Sequence, residues 1–272
     1  MACRRTDAGE GEAKSFSDLP GSYEVMKLDL ANLQSVRTFA EAFLATHNRL
    51  DALVGNAGFV NMKSEVQHTV DGLESTIGVS YFGHFLLTEL LLDILKKSAP
   101  SRIVLLSSVV HAGSAKNRVN VNLDDINYNS RPFKSFGAYA EAKVAVNLYA
   151  MELAERLQGT GVTTASVHPG WARSNFGKGG GVFMSILMTL AKPLTYSISN
   201  SSEESAQTSL HCLLSDDAPN HSGAYFSQHS VLYSDKECRK GGWPMTSPNP
   251  NARDMDRAKK LVDLSYGLVG LR

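Results

Sequence analysis

Tyr139 and Lys143 are the residues whose types and spacing best suit proton chemistry in this chain. Four residues apart on a helix, a phenol and an ammonium share one face, one turn from each other. An unperturbed tyrosine, with a pKa of ~10, is a poor acid at neutral pH, and a neighbouring ammonium stabilises its phenolate and lowers that value. Such a pair can give a proton to a substrate oxygen or take one from it. The local pattern supplies the helix that must carry them. Val144, Leu148, Met151 and Ala154 recur at three- and four-residue steps, among the strong helix formers Glu141, Ala142, Lys143, Glu152, Leu153 and Glu155. An isolated Tyr and Lys on a helix is also ordinary surface chemistry, so the weight of the pair comes from its surroundings.

The surrounding elements alternate. Tyr23 to Leu28 reads as a short strand ended by Asp29, and Asn32 can cap a helix striped by Val36, Phe39, Ala40, Phe43 and Leu44. Leu50 to Val54 is a second strand that runs into Gly55-Asn56-Ala57-Gly58. Leu73 to Lys97 reads as one long, broadly apolar helix, followed by the continuous apolar strand Ile103-Val104-Leu105-Leu106 with Ser107 and Ser108 at its carboxyl end. A polar connection, residues 109 to 137, leads to the Tyr139 helix; the strand Val162 to Val167 then closes on His168-Pro169-Gly170. A helix over Ser202 to Leu214, a short strand at Ala224 to Phe226 and a helix over Asp254 to Leu264 complete the pattern, while residues 5 to 22 read as a loop or frayed helix. This is the grammar of an α/β parallel sheet with crossovers on its faces. Asn56 with its glycines, Ser107-Ser108 and Pro169-Gly170 each lie just past the carboxyl end of a predicted strand, the edge where open α/β sheets bind ligands.

Composition narrows the classes. The chain has 272 residues, 43% of them hydrophobic, enough for one large core, and we expect a single domain over 1–272. Its 27 basic and 27 acidic residues cancel, so no global field recruits nucleic acid or an anionic membrane. Cys3, Cys212 and Cys238 are too scattered for a disulfide framework or a cysteine-rich metal site, and a reduced compartment is expected. The run Val182 to Ala191 is about half a membrane span, and no apolar h-region follows Arg4-Arg5. These features predict a cytoplasmic protein, with peripheral contact to an intracellular membrane as the alternative.

At the level of motifs the chain resembles the short-chain dehydrogenase/reductase family, and within it the retinol-dehydrogenase-like members. The marks are Leu28-Asp29-Leu30, Leu53 through Gly58, Gly83-His84-Phe85-Leu86-Leu87-Thr88, Arg102 through Ser108, Tyr139-Ala140-Glu141-Ala142-Lys143, and Gly161 through Gly170. The resemblance implies a Rossmann-like doubly wound sheet with helices on both faces. It implies that Ser108 polarises the substrate oxygen, that Tyr139 is the general acid in carbonyl reduction and the base in alcohol oxidation, and that Lys143 tunes the phenol and holds ribose hydroxyls. Asp29 would face adenine, Asn56, Ala57 and Gly58 would line the adenosine half, and Pro169 and Gly170 would support the nicotinamide. Ser174 would bond the carboxamide. Arg4, at the end of the family's second strand, can pair bidentately with a 2′-phosphate, which favours NADP over NAD. The implied substrate is a small lipophilic alcohol or carbonyl compound, retinoid-like, with Phe183, Met184, Ile186, Leu187, Met188, Leu194 and Tyr196 as its apolar cover; the same run reads equally as a helix packed on the body or resting on a membrane surface. Pairing into a homodimer is also implied.

The chain departs from that pattern in two places. No Gly-x-x-x-Gly-x-Gly occurs anywhere, so the first βα unit, which gives the family its central strand and pyrophosphate cradle, is lacking, and the flanks of its neighbours should be exposed. Ser80 stands where the family usually has an asparagine that continues the proton relay from the lysine, and a shorter hydroxyl there should slow it. The competing expectation is a catalytically inactive relative kept as an interaction or regulatory protein. His84, His111 and His168 match no metal pattern and are expected in structural or surface roles.

Overall fold

A computed structural model of the chain describes residues 1–172, 199–229 and 239–272. Strands β1 (Ala2–Cys3), β2 (Met26–Lys27), β3 (Ala52–Gly55), β4 (Ser101–Leu106), β5 (Val162–His168), β6 (Tyr225–Ser227) and β7 (Gly242–Met245) alternate with helices. The helices are α1 (Thr6–Lys14), α2 (Leu33–Thr46), α3 (Ser75–Ile77), α4 (Gly83–Lys97), α5 (Ser135–Arg156), α6 (Ser202–Leu214) and α7 (Met255–Leu268). The fold is α/β and Rossmann-like, as its sequence predicts. Among the described residues five strands lie in the order β3-β4-β5-β6-β7, parallel except for β7, which runs antiparallel to β6.

Among the described residues β1 and β2 form a separate parallel pair, and β3 is bonded to β4 alone. The sheet is thus in two pieces, and Val54 on β3 is 40% exposed, which is what an apolar strand shows when one flank lacks a partner. Helix starts follow local chemistry. The Asn32 side chain accepts from Ser35 N, Ser201 and Glu204 close a capping box on α6, and the Asp254 side chain accepts from Arg257 N.

The predicted helix from Leu73 to Lys97 is broken into α3, a π turn at Gly78–Phe82, and α4. Ser80 lies within this wide turn, and such π segments are frequent near functional sites. Periodicity could not show this, because the apolar pattern runs straight through. By length and composition Ser75–Lys97 could cross a membrane, yet 78% of its apolar window is buried inside the body, so it serves as a core helix. The predicted strand at Tyr23 shrinks to Met26–Lys27, the residues that find a partner in β1; β7, which carries Pro244 and little alternation, was not legible at all.

The core packs α4 and α5 around Tyr81, Phe85, Leu86, Leu95, Leu148 and Tyr149, with Leu261 of α7 closing one side. Glu89 of α4 ties these helices together. Arg156 grips it in a fork at 2.6 and 2.9 Å, Tyr149 donates to it at 2.8 Å and Tyr266 at 2.6 Å. Burial alone would raise the Glu89 carboxyl, and the bonds from Arg156 and Tyr266 more than reverse this, holding it below its usual value. Arg156→Met strips a mostly buried carboxylate of its counterion and should cost about 3–5 kcal/mol in urea unfolding. A cost under about 1 kcal/mol would show that water already satisfies Glu89.

Candidate active site

Strands β3, β4 and β5 are adjacent and parallel, so their carboxyl ends share one edge. At that edge stand the Asn56 turn, Ser107-Ser108 and Pro169-Gly170, and α5 delivers Tyr139 and Lys143 to the same place. Ser108 hydrogen-bonds the Tyr139 hydroxyl. Lys143, only 2% exposed, donates from Nζ to Leu106 O at 2.5 Å, and its nitrogen lies 5.5 Å from the centre of the Tyr139 ring. The two serines divide the work: Ser107, buried, donates to Lys143 O at 3.1 Å and so locks α5 onto the end of β4, while Ser108 faces the phenol.

The electrostatics differ from the sequence expectation. Burial pushes the Tyr139 phenol up to about 12, against the pull of the Ser108 hydrogen bond, and burial lowers Lys143 to about 8. The expected lowering of the phenol by its neighbour is therefore corrected: desolvation of the phenol outweighs an ammonium whose nitrogen lies 5.5 Å from the ring centre and donates to Leu106 O. Burial makes charge costly at both groups; at neutral pH the phenol keeps its proton and is neutral, while the amine, at about 8, is still mostly an ammonium.

A second ion-pair knot holds the connection before α5 in place. Glu141, two residues past Tyr139, takes the Arg131 fork at 2.5 and 2.8 Å and the Tyr128 hydroxyl at 2.7 Å, with the guanidinium 3.5 Å above the Tyr128 ring. This docks the polar loop on the helix turn that presents the phenol.

The Asn56 turn rests on two buried posts. His84 Nε2 lies 2.7 Å from Ala57 O, with the ring packed on Gly55, where a Cβ would meet His84 Nδ1 at 3.1 Å and Leu105 Cδ2 at 2.9 Å. Ser80 Oγ accepts from Phe59 N and donates to Phe59 O, both at 3.1 Å. This corrects the relay role expected of Ser80: its hydrogen and one lone pair are committed to Phe59, so it props the turn instead of passing protons from Lys143. Asn56, Ala57 and Gly58 themselves are exposed, with backbone open to a ligand.

Across the edge, Gly170 holds φ +80, and a side chain there would run into Asn200. Pro169 is half-buried beside it. Arg4 and Asp29 follow β1 and β2 in the smaller sheet. Arg4 is exposed, while one oxygen of Asp29 is occupied by Ala31 N at 3.0 Å. Ser174 and the apolar residues 183–196 lie outside the described residues. No group of three His, Cys, Asp or Glu among the described residues could hold a metal ion. The sequence placed the three histidines in structural or surface roles; all are buried and held neutral by burial, His84 and His111 near 4 and His168 near 3. Two of them touch backbone of the site, which spacing alone had no means to reveal.

A phenol and an amine on one helix, with a serine hydroxyl bonded to the phenol at the carboxyl edge of a parallel sheet, form an arrangement able to pass a proton to or from a substrate oxygen. The family model described as short chain dehydrogenase matches residues 1–120. Human retinol dehydrogenase 12 is 39% identical over all of this chain and 78% of its own length, and human retinol dehydrogenase 13 is 36% identical over all of this chain and 76% of its own. The crystal structure of an uncharacterised protein from Mycobacterium paratuberculosis superimposes with a TM-score of 0.73 at 30% identity, covering 99% of this chain and 83% of that one. The Pseudomonas aeruginosa RhlG/NADP complex shares the fold, with a TM-score of 0.63 at 20% identity over 83% of this chain and 82% of that one. The chain belongs to the short-chain dehydrogenase/reductase family, among its retinol-dehydrogenase-like members.

Proposed function

We propose that this protein is an NADP-dependent oxidoreductase that interconverts a lipophilic, retinoid-like alcohol and its aldehyde or ketone. The observation that carries the reading is the hydrogen bond between Ser108 and the Tyr139 hydroxyl, with Lys143 buried beneath the pair. In the reductive direction Ser108 would polarise the carbonyl oxygen and Tyr139 would deliver its phenolic proton as negative charge develops there. In oxidation the same phenol oxygen takes the proton back. The dinucleotide, when bound, supplies the hydride, and the protein supplies orientation and proton transfer.

The residues present suit the nicotinamide–ribose half. Lys143 spends one of its three N–H donors on Leu106 O, leaving two buried donors for ribose hydroxyls. The left-handed Gly170 and the exposed Asn56 turn suit a flat ligand against backbone. Arg4, exposed after β1, suits a 2′-phosphate. The retinoid-like substrate is carried over from the retinol dehydrogenases that the chain matches along its whole length; such a substrate partitions into lipid, so peripheral membrane contact belongs to the same proposal.

A second reading has its own support. Among the described residues the sheet is in two pieces, which favours a folded relative that serves as an interaction protein without turnover. Titration of the chain with NADPH and NADH, followed by retinaldehyde reduction, separates the two. Arg4→Ser should weaken NADPH binding about tenfold while leaving NADH within about twofold. A cooperatively folded chain that neither quenches nor protects with either dinucleotide would sink the first reading and leave the second.

A further inference from the structure

Ser108 is held by its backbone as much as by its hydroxyl. It lies past β4, extended at φ −158 and ψ 150, as the cap of a short 3-10 turn over Val109–Ala112. Behind it, 2.6 Å from Ser108 O, is His111 Nδ1. A carbonyl only accepts, so Nδ1 carries the hydrogen. The ring is 0% exposed, and burial holds it near 4, opposed only by the bond to Ser108, while the Arg118 guanidinium disfavours a second proton further. Nε2 therefore keeps a lone pair, and Ser247 Oγ, 2.7 Å away, must be the donor to it.

That fixes the rest of the chain of bonds. Ser247 Oγ accepts from Asn249 N at 3.2 Å, and the fully buried Asn249 side chain donates to His111 O at 2.7 Å and to Val119 O at 2.8 Å. The Tyr225 ring meets the imidazole edge to face at 4.9 Å. A segment 136 residues downstream of the imidazole thus reaches behind the serine turn and allows His111 one tautomer only.

We propose that His111 is a positioning residue for the reaction: locked by Ser247 and Asn249 in its Nδ1–H form, it holds the Ser108 carbonyl so that the Ser108 hydroxyl stays on Tyr139. The inference rests on the proposed role of the Ser108–Tyr139 pair. Its force is geometric, because a shift of about 1 Å in a catalytic group can cost about 10²-fold in rate.

Asparagine can place its amide nitrogen where Nδ1 stands, and glutamine where Nε2 stands, so the two substitutions test different bonds. His111→Asn should stay within about fivefold of the native kcat for retinaldehyde reduction, while His111→Gln should lose about 30- to 100-fold. The NADPH dissociation constant should be unchanged and the fall in Tm alike in both. Equal kcat losses, or a change confined to cofactor binding, would show His111 to be packing alone. A second measurement stands without turnover, on the native chain labelled with 15N-histidine. Long-range 15N–1H spectra should show His111 as the Nδ1–H tautomer from pH 6 to 8, and Ser247→Ala should relax that preference. An Nε2–H tautomer, or a ring that titrates near neutrality, overturns the proposal. Absence of turnover in the native chain with the expected tautomer in place would instead count against the oxidoreductase reading and leave the hydrogen-bond chain standing.

Discussion

Tyr139→Phe will lower turnover by about 10³-fold while leaving the fold and NADPH affinity in place. The substitution removes one oxygen and keeps the ring, so the half-buried packing of α5 is retained. It deletes the partner of the Ser108 hydroxyl and, on the proposed mechanism, the proton source for the developing alkoxide in one step. With the phenol pushed up to about 12, the acid form dominates throughout the neutral range. Carbonyl reduction, which uses that form, should therefore proceed at pH 7, whereas alcohol oxidation, which needs the phenolate, should accelerate as pH rises from 7 to 9. Steady-state rates in both directions, with NADPH binding followed separately, check the argument. A variant that keeps more than about a tenth of native turnover would mean that another group moves the proton.

The second large effect has opposite signs for activity and stability. Lys143→Met should cost about 10²-fold in kcat and weaken NADPH binding, because the ammonium that would hold the ribose is gone. The same variant should melt higher than the native chain in the absence of cofactor. Burial depresses Lys143 from 10.5 to about 8, so in the window between those values the unfolded chain binds more protons than the folded one, and native stability rises with pH there. Below pH 8 the folded chain bears the full desolvation cost, on the order of 3 kcal/mol. Methionine removes that cost but also the bond to Leu106 O, so a net gain of roughly 1–2 kcal/mol, or about 2–5 °C, is expected at pH 7. The advantage should shrink as pH approaches 10.5. Differential scanning calorimetry at pH 7 and pH 10 measures it directly; a variant that melts lower at pH 7 would place the amine in water, contrary to its burial.

Much of the site was legible because its parts are local. Tyr139 and Lys143 announce themselves by a four-residue interval on a helix with a clear apolar period. The Asn56 turn, Ser107-Ser108 and Pro169-Gly170 follow strands whose apolar runs are continuous. Capping by Asn32 and the Ser202 to Leu214 span needed only neighbouring residues. The break at Gly78–Phe82 is not legible in the sequence because a π turn adds one residue without interrupting the run of apolar side chains, and the bonds of Ser80 to Phe59 are hidden for the same reason. His84 and His111 show the same limit at longer range. Their partners, Ala57, Ser108 and Ser247, are set by the crossing of elements far apart in the chain.

By itself the sequence determined the alternation of strands and helices and the residue types able to move a proton. These depend on short-range sterics, side-chain chemistry and hydrophobic period. Only the tertiary structure decided that the sheet parts into two pieces, that Ser108 meets the phenol while Ser107 holds the helix, and that Tyr139 and Lys143 are driven toward their neutral forms. Those outcomes depend on what is excluded from water, and desolvation belongs to the packed molecule as a whole.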